Sequence, residues 1–545
     1  MFCTTIFSSI GLIQPAVAQT DTRIDSIERQ IRALQSQLGQ VKADLVARDR
    51  ALKSAQQQAK AAQDQAAAAS AQAAHVAAAP PVQVVTAAPP PAPPLPPGQF
   101  KVGGLTVTLG GFAAAEGVYR SRNEAASIAT SFSGIPLPNS PNYHIPEFRE
   151  TAQQSRISLL TEGQIDDAQK LTGYVETDFL SAGSSSNSTE SNSYTLRLRQ
   201  FWGNYDNSDL GLHVLGGQTW SLATLYKTGL VPRQENVPLT IDAQYNVGFD
   251  WARQATLRVT KDFGDHKYWA GFSLESPQTT YSSAGGPNCL TGANATTATG
   301  GGTLEFGECG GSNVNTIQNY SDNHAPDIIA KLAADPGWGH YEVYGLLRFL
   351  GGRVSFASRG NGKNYNTTGE GIGAGMLLPL VPKMLTFQLS GLIGQGVGRY
   401  GTSQLPDATF SPAGKLEPLA EYSILGGIVG NPVPAVDLYA YGGAEGVAMK
   451  SYAGTAGYGN PNLNLSGCEA ELGACNAATS ALVEGTVGGW WRFIKSRYGT
   501  AEFGAQYSYV NRNTFKGLGA TRGSTLSPNA NENLFLFSFR YLPFQ

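Results

Sequence analysis

The chain has 545 residues, with 38 Lys or Arg against 41 Asp or Glu, giving a formal net charge of −3. Only 14% of residues are charged, and in balance, so the sequence suggests no nucleic-acid partner. It also offers no window of about 18 consecutive apolar residues, which excludes a membrane helix. With 65 glycines and 10% aromatic residues, any membrane span must be built from strands.

The first residues, "MFCTTIFSSIGLIQPAVAQT", carry an apolar run and then Ala16-Val17-Ala18, a small-residue cleavage pattern that predicts a signal peptide over 1–18 although a basic start is missing. From Ile24 an apolar seam runs through Ile27, Ile31, Leu34, Leu38, Val41, Leu45 and Leu52, weakening to Ala55, Ala59 and Ala62. These heptads predict an α-helical coiled coil within 19–79 that associates chains, with one amphipathic helix lying on the barrel as the alternative. The Pro/Ala-rich stretch 80–98 cannot form helix or sheet ladder and acts as a semi-rigid spacer.

After Gly98 the pattern becomes one of strands, at about 105–118, 154–162, 170–180, 194–205, 210–219, 253–262, 266–276 and 326–334, then 339–350, 370–380, 383–397, 416–429, 436–450, 481–494, 498–511 and 531–542. That makes sixteen, an even number as closure of an antiparallel barrel prefers. Connections alternate in length. Short ones such as "QIDDAQ", "FGDH" and "KSRYG" separate long ones at about 119–153, 181–193, 220–252, 277–325, 351–369, 398–415, 451–480 and 512–530. One rim of short turns and one of long loops is the asymmetry of outer-membrane barrels.

The faces sort accordingly. In the last strand Phe535, Phe537, Phe539 and Tyr541 oppose Ser538 and Arg540. Elsewhere Ile157 and Leu159 oppose Arg156, Leu196 and Leu198 oppose Arg197 and Arg199, Leu257 and Val259 oppose Arg258, and Val343 and Leu347 oppose Glu342 and Arg348. An enclosed face with so many charges is expected to be wet, since each unpaired buried charge costs several kcal/mol. The basic set Arg156, Arg197, Arg199 and Arg258 then forms one stretch of lumen wall. Its alternative is a structural ladder in which Glu176 and Asp178, on the intervening strand, pair with Arg199 and Arg197.

Once Cys3 leaves with the signal peptide, Cys289 with Cys309 and Cys468 with Cys475 form two close pairs in outer loops, read as disulfides of an oxidising compartment. Neither has zinc-ligand spacing with a nearby His. "GQGVGRYG" at 394–401 lacks the βαβ context of a dinucleotide site. The six histidines are scattered and expected to be solvent-facing or at a rim. No cofactor, metal site or catalytic constellation is expected.

The segments "QSRISL" (154–159), "GYVETDF" (173–179) and "GGQTWSL" (216–222), the aromatic last strand, and the combination of heptads, Pro linker and sixteen strands resemble the trimeric porins of Gram-negative outer membranes, in particular the DcaP-like type. The resemblance covers nearly the whole mature chain. It implies a transmembrane barrel over 99–545 in the outer membrane, a periplasmic N-terminal helix and a homotrimer amid lipid and lipopolysaccharide. It also implies that the third long loop, 220–252, folds into the lumen, with Asp242 and Glu235 as acidic members opposite the basic wall. The terminus departs from the family pattern, because Phe544 is out of phase with the lipid-facing aromatics and Gln545 follows it. The expected function is passive diffusion of small hydrophilic solutes, favouring anionic organic acids, with a possible tether to peptidoglycan or a periplasmic partner. A trimeric surface adhesin, a structural envelope tether with a barrel anchor, and a barrel enzyme are the competing classes.

Overall fold

The chain divides into two compact units, Met1–Pro93 and Pro94–Gln545. The computed structural model describes residues 95–180, 194–282, 297–298, 302–305, 307–308 and 320–544, together with Lys53, Gln57 and Lys60, which are helical and exposed. The expected signal peptide, the rest of the coiled coil, most of the linker and the Cys289–Cys309 pair lie outside the described residues.

Sixteen antiparallel strands close on themselves. In chain order they are β1 (Leu105–Arg120), β2 (Arg156–Gln164), β3 (Gln169–Asp178), β4 (Arg197–Asn207), β5 (Leu212–Trp220), β6 (Arg253–Phe263), β7 (Tyr268–Glu275) and β8 (Asp327–Ala334). There follow β9 (His340–Phe356), β10 (Asn361–Val381), β11 (Leu385–Gln395), β12 (Ala420–Val433), β13 (Val436–Val447), β14 (Thr479–Ser496), β15 (Gly499–Thr514) and β16 (Asn529–Leu542). Each pairs with the next, and β16 returns to β1 through Tyr541 opposite Ala113 to Leu534 opposite Arg120. Closure satisfies both edges of every strand, the only way a sheet can cross hydrocarbon.

Pairing is continued below the end of β16 by a short strand, Gln99–Val102, which pairs with Leu105–Thr108 of β1. The Leu109 amide donates to the Gly98 carbonyl at 2.9 Å, and Phe544 lies against Gly98, where an added Cβ would come within 2.9 Å of the Phe544 Cβ. This is why Phe544 is out of phase: β16 ends at Leu542 and the chain turns to pack on the entering segment.

The apolar residues of each strand form an exposed outer belt, with Ile157 at 60% and Phe535 at 52% exposure, while Arg199, Arg258, Arg348 and Ser538 are buried inside. Near the short-turn rim Trp338 and Tyr341 meet edge to face at 4.9 Å, and Trp491 and Phe493 lie 5.6 Å apart, as in an interfacial aromatic girdle.

Two expectations are corrected. The fifth long connection, 351–369, is mostly sheet: β9 and β10 run on as a hairpin, pairing Gly351 with Asn366 through to Phe356 with Asn361, and only Ala357–Gly360 turn. Nor is the enclosed face wet throughout. Ile128, Phe132 and Ile135 of the first loop, Ile241, Val247 and Phe249 of the third, and Leu405 and Leu419 of the sixth pack on Leu425, Leu482, Val510 and Leu534 of the wall as one buried cluster. The long loops bring their own apolar side chains inward and fill part of the lumen with a dry core.

Candidate functional site

The third loop, between Trp220 and Arg253, carries the site. A segment laid inside a barrel must find partners for its backbone N–H groups, and wall side chains supply them. The Leu222 amide donates to Glu275 at 2.8 Å and the Tyr226 amide to Glu342 at 3.2 Å. Further along, the Ile241 amide donates to Gln506 at 2.6 Å, Val247 to Glu484 at 2.7 Å and Gly248 to Glu445 at 2.8 Å. The loop is thus clamped first to β7 and β9, then to β13–β15. At the far wall the approach leaves no room for side chains. Gly248 has φ +89, and a Cβ there would lie 1.9 Å from the Ile424 carbonyl oxygen, while one on Gly443 would lie 1.7 Å from that of Val247.

The basic set does not stand free. Arg197 grips Asp178 through Nε at 2.9 Å and Nη2 at 2.8 Å. Arg199 donates to Glu176 at 2.7 Å and to Asp178 at 2.9 Å, and Arg156 lies 3.6 Å from Glu176. The structural ladder is therefore the arrangement observed. Its geometry depends on a bulge: Glu176 faces Gln200 but Thr177 faces Leu198, so Arg199 is the extra residue and both it and Gln200 are buried. Arg258 is not part of this ladder. It donates to the Tyr226 hydroxyl at 2.6 Å and the Trp220 carbonyl at 2.5 Å, tethering the start of the loop. Arg348 is sealed between Asp327 at 3.1 Å and Asp407 at 2.6 Å, where it joins the wall to the sixth loop.

The expected acidic members of the loop are also engaged elsewhere. Asp242 accepts from the Thr130 amide at 3.1 Å and the Gln244 amide at 2.8 Å, bracing the first loop against the third. Burial pushes its carboxyl up to about 6, opposed by the Arg120 charge and these hydrogen bonds. Glu235 lines a cavity, and burial pushes it up to about 7. An acidic loop facing a free basic wall is thus not what forms, because wall arginines find wall carboxylates and loop carboxylates find buried positions.

The cations exposed into the cavities are on the loop itself. Lys227 and Arg233 are exposed and enter no ion pair among the described residues, and Arg233 lies 5.1 Å over the Tyr174 ring. They flank the turn "TGLVP", and nothing in their spacing marks them; the sequence reading missed both. A cavity of about 500 Å3 under the loop is lined by Arg156, Lys227, Arg233, Trp490 and Arg540 among others. A second, of about 680 Å3, shares Lys227, Val237, Leu239, Asp437 and Arg492 with it.

Two histidines stand at the short-turn rim, one of the two places expected of them, at the starts of β5 and β9. His213 sits between Asp206 at 2.6 Å and Asp262 at 3.0 Å, and His340 between Asp335 at 2.8 Å and Glu342 at 3.1 Å. Rather than facing solvent, each crosslinks carboxylates, and Asp335 also accepts the Gly229 amide at 2.9 Å. In the seventh loop Cys468 and Cys475 form a disulfide, and the adjacent Leu472 amide donates to the Asn139 carbonyl at 2.8 Å, joining the seventh loop to the first.

No protein-family model matches the chain, and no curated protein matches it. Among solved structures it is similar to the outer membrane channel DcaP of Acinetobacter baumannii, with 19% identity, 81% of this chain and 99% of that one covered, and a TM-score of 0.52. It is also similar to an anion-selective porin from Comamonas acidovorans, with 10% identity, 80% and 99% coverage and a TM-score of 0.41. OmpT, an outer membrane protein of Vibrio cholerae, matches with 10% identity, 82% and 99% coverage and a TM-score of 0.40. The chain has the sixteen-stranded barrel fold of the first of these, as the sequence resemblance implied.

Proposed function

We propose that this chain is an outer-membrane porin, a passive diffusion channel for small hydrophilic solutes that favours anionic organic acids. The observation that supports this most is the clamped third loop: it crosses a closed barrel with an apolar outer belt and presents Lys227 and Arg233, which enter no ion pair among the described residues, to the cavities beneath it. Cations fixed in a low-dielectric enclosure focus their field on passing solutes, which biases entry by sign without binding tightly. The wall arginines contribute less than the sequence suggests, because Glu176 and Asp178 offset them. Association as a homotrimer, with the N-terminal heptads as a periplasmic coiled coil adding to contacts between barrels, belongs to the same reading. Reconstitution of the full chain in a planar bilayer tests it: ion conductance with a zero-current potential of anion preference in a KCl gradient is expected. A protein that does not conduct, or that prefers cations, contradicts it.

A further inference from the structure

We infer that the two adjacent cavities under the third loop, which share Lys227, Val237, Leu239, Asp437 and Arg492 as lining, form a bipartite site for a sugar acid, a solute with one carboxylate and a hydroxyl-bearing remainder. This deepens the channel reading and rests on it.

The first cavity supplies the charged end. Lys227 and Arg233 are its cations that enter no ion pair among the described residues, and Arg540, bound to Glu116 at 2.7 Å, stacks over the Trp490 ring at 4.3 Å. The second cavity is different in chemistry. Besides Lys227, Asp437 and Arg492, which the two cavities share, and the Asp335–His340 pair, it is lined by the neutral polar Asn236, Thr386, Gln388, Asn431 and Tyr441 and the apolar Leu377, Pro379 and Val429. Asn236 donates its amide to the Gln388 oxygen at 2.8 Å, which leaves the Gln388 NH2 to donate, and Asn431 donates to Asp437, which leaves its oxygen to accept. The Tyr441 hydroxyl accepts the Leu239 amide at 3.2 Å and retains its own proton to give. Donors and acceptors interleaved with apolar surface suit a polyol, whose hydroxyls do both and whose C–H faces are apolar.

A second carboxylate is unsuited to this end, because apart from the shared Lys227 its cations, Arg492 and His340, are held by Asp437 and Asp335. Asp335 is already bonded to His340, and Asp437 to Arg492 and Asn431. A dicarboxylate that reached Lys227 with one group would find only paired cations for its other group here. The volumes, about 500 and about 680 Å3, fall in the range of roughly 300–1,000 Å3 typical of small-ligand sites.

The test is block of single-channel current through the full chain in a planar bilayer by four probes: glucuronate, acetate, glucose and succinate. Glucuronate is expected to half-block at a concentration about tenfold below acetate and below glucose, and below succinate as well, since each net hydrogen bond is worth a factor of roughly five. Gln388→Leu with Asn431→Leu is expected to raise the glucuronate-to-acetate ratio of half-blocking concentrations about fivefold or more. Succinate blocking as well as glucuronate overturns the sugar-acid assignment while leaving the channel reading in place. An unchanged ratio in the double variant does the same. Absence of any conductance overturns both. The wild-type comparison among the four probes decides the matter even if the double variant fails to fold.

Discussion

Arg197 and Asp178 face each other across β3 and β4 through two parallel hydrogen bonds, 2.9 and 2.8 Å long, and Asp178 accepts a third from Arg199 at 2.9 Å. One carboxylate therefore serves two guanidiniums and, together with Glu176 on Arg199, offsets charge that would otherwise face the lumen. Asp178→Asn removes that offset and should increase anion preference, seen as a larger zero-current potential of anion sign in a KCl gradient. It also leaves the buried Arg199 short of a partner, so a loss of stability of about 3 kcal/mol is expected in thermal unfolding. A fall in anion preference would mean that the ladder does not control the field.

Lys227 and Arg233 lie on the loop rather than on the wall and take part in no ion pair among the described residues. Replacing both by Ala should shift the zero-current potential toward cations while changing stability by no more than about 0.5 kcal/mol, as expected for exposed side chains. The difference between wild type and variant should shrink as salt rises, since the Debye length falls from about 8 Å at 0.15 M to about 3 Å at 1 M. A salt-independent difference would point to a change of pore shape instead.

The barrel was legible because two independent patterns agree: period-two alternation, as at Leu257-Arg258-Val259, and the alternation of short and long connections. Only at 351–369 did Gly and Asn hide a hairpin, whose few apolar residues Val354, Phe356 and Tyr365 pack in a small cluster with Tyr281 and Leu416 of other loops. The site was less legible. Inward-facing Glu342, Glu445 and Glu484 look in sequence like lumen charges, yet the last two hold amides of a loop some 200 residues away in the chain and Glu342 holds one 116 residues away. Strand periodicity gives the direction of a side chain but not what a distant loop brings to it. The bulge at Arg199 shifts one strand against its neighbour by a single residue, which periodicity also cannot foresee.

Glu235 should make the ion selectivity of the proposed channel depend on pH. Burial raises its carboxyl to about 7. Below that pH the group is neutral and Lys227 and Arg233 act unopposed; above it a negative charge appears beside them. Anion preference should therefore weaken as pH rises from about 6 to about 8, and Glu235→Gln should remove the part of the change centred near pH 7, leaving any part near pH 6 to Asp242. A variant that keeps the wild-type pH profile would assign the dependence to another group.

The outer loops should contain a second disulfide. Cys468 and Cys475 are joined in the seventh loop, and Cys289 and Cys309 occupy the fourth. Mass spectrometry of unreduced peptides should find 289 linked to 309 and 468 to 475. Free thiols at 289 and 309, or crossed pairing, would refute the first link.

The far clamp of the third loop depends on two glycines that meet backbone to backbone. At Gly248 the φ of +89 already disfavours any other residue, and a Cβ would lie 1.9 Å from the Ile424 carbonyl oxygen, an atom that β12 cannot move without giving up ladder hydrogen bonds. Gly248→Ala must therefore push the loop off the wall, which also withdraws the Gly248 and Val247 amides from Glu445 and Glu484. Two buried carboxylates and two amides lose partners, at about 1–3 kcal/mol each. The barrel itself should remain closed, because none of its ladder bonds involves the loop at this point. The expected result is a folded channel with larger and noisier conductance and weaker ion selectivity, since Lys227 and Arg233 no longer sit at a fixed place in the lumen. Glu484→Gln, which still accepts the Val247 amide through its oxygen, should behave close to wild type. If Gly248→Ala gave wild-type conductance and selectivity, the loop would not be what limits the passage of ions.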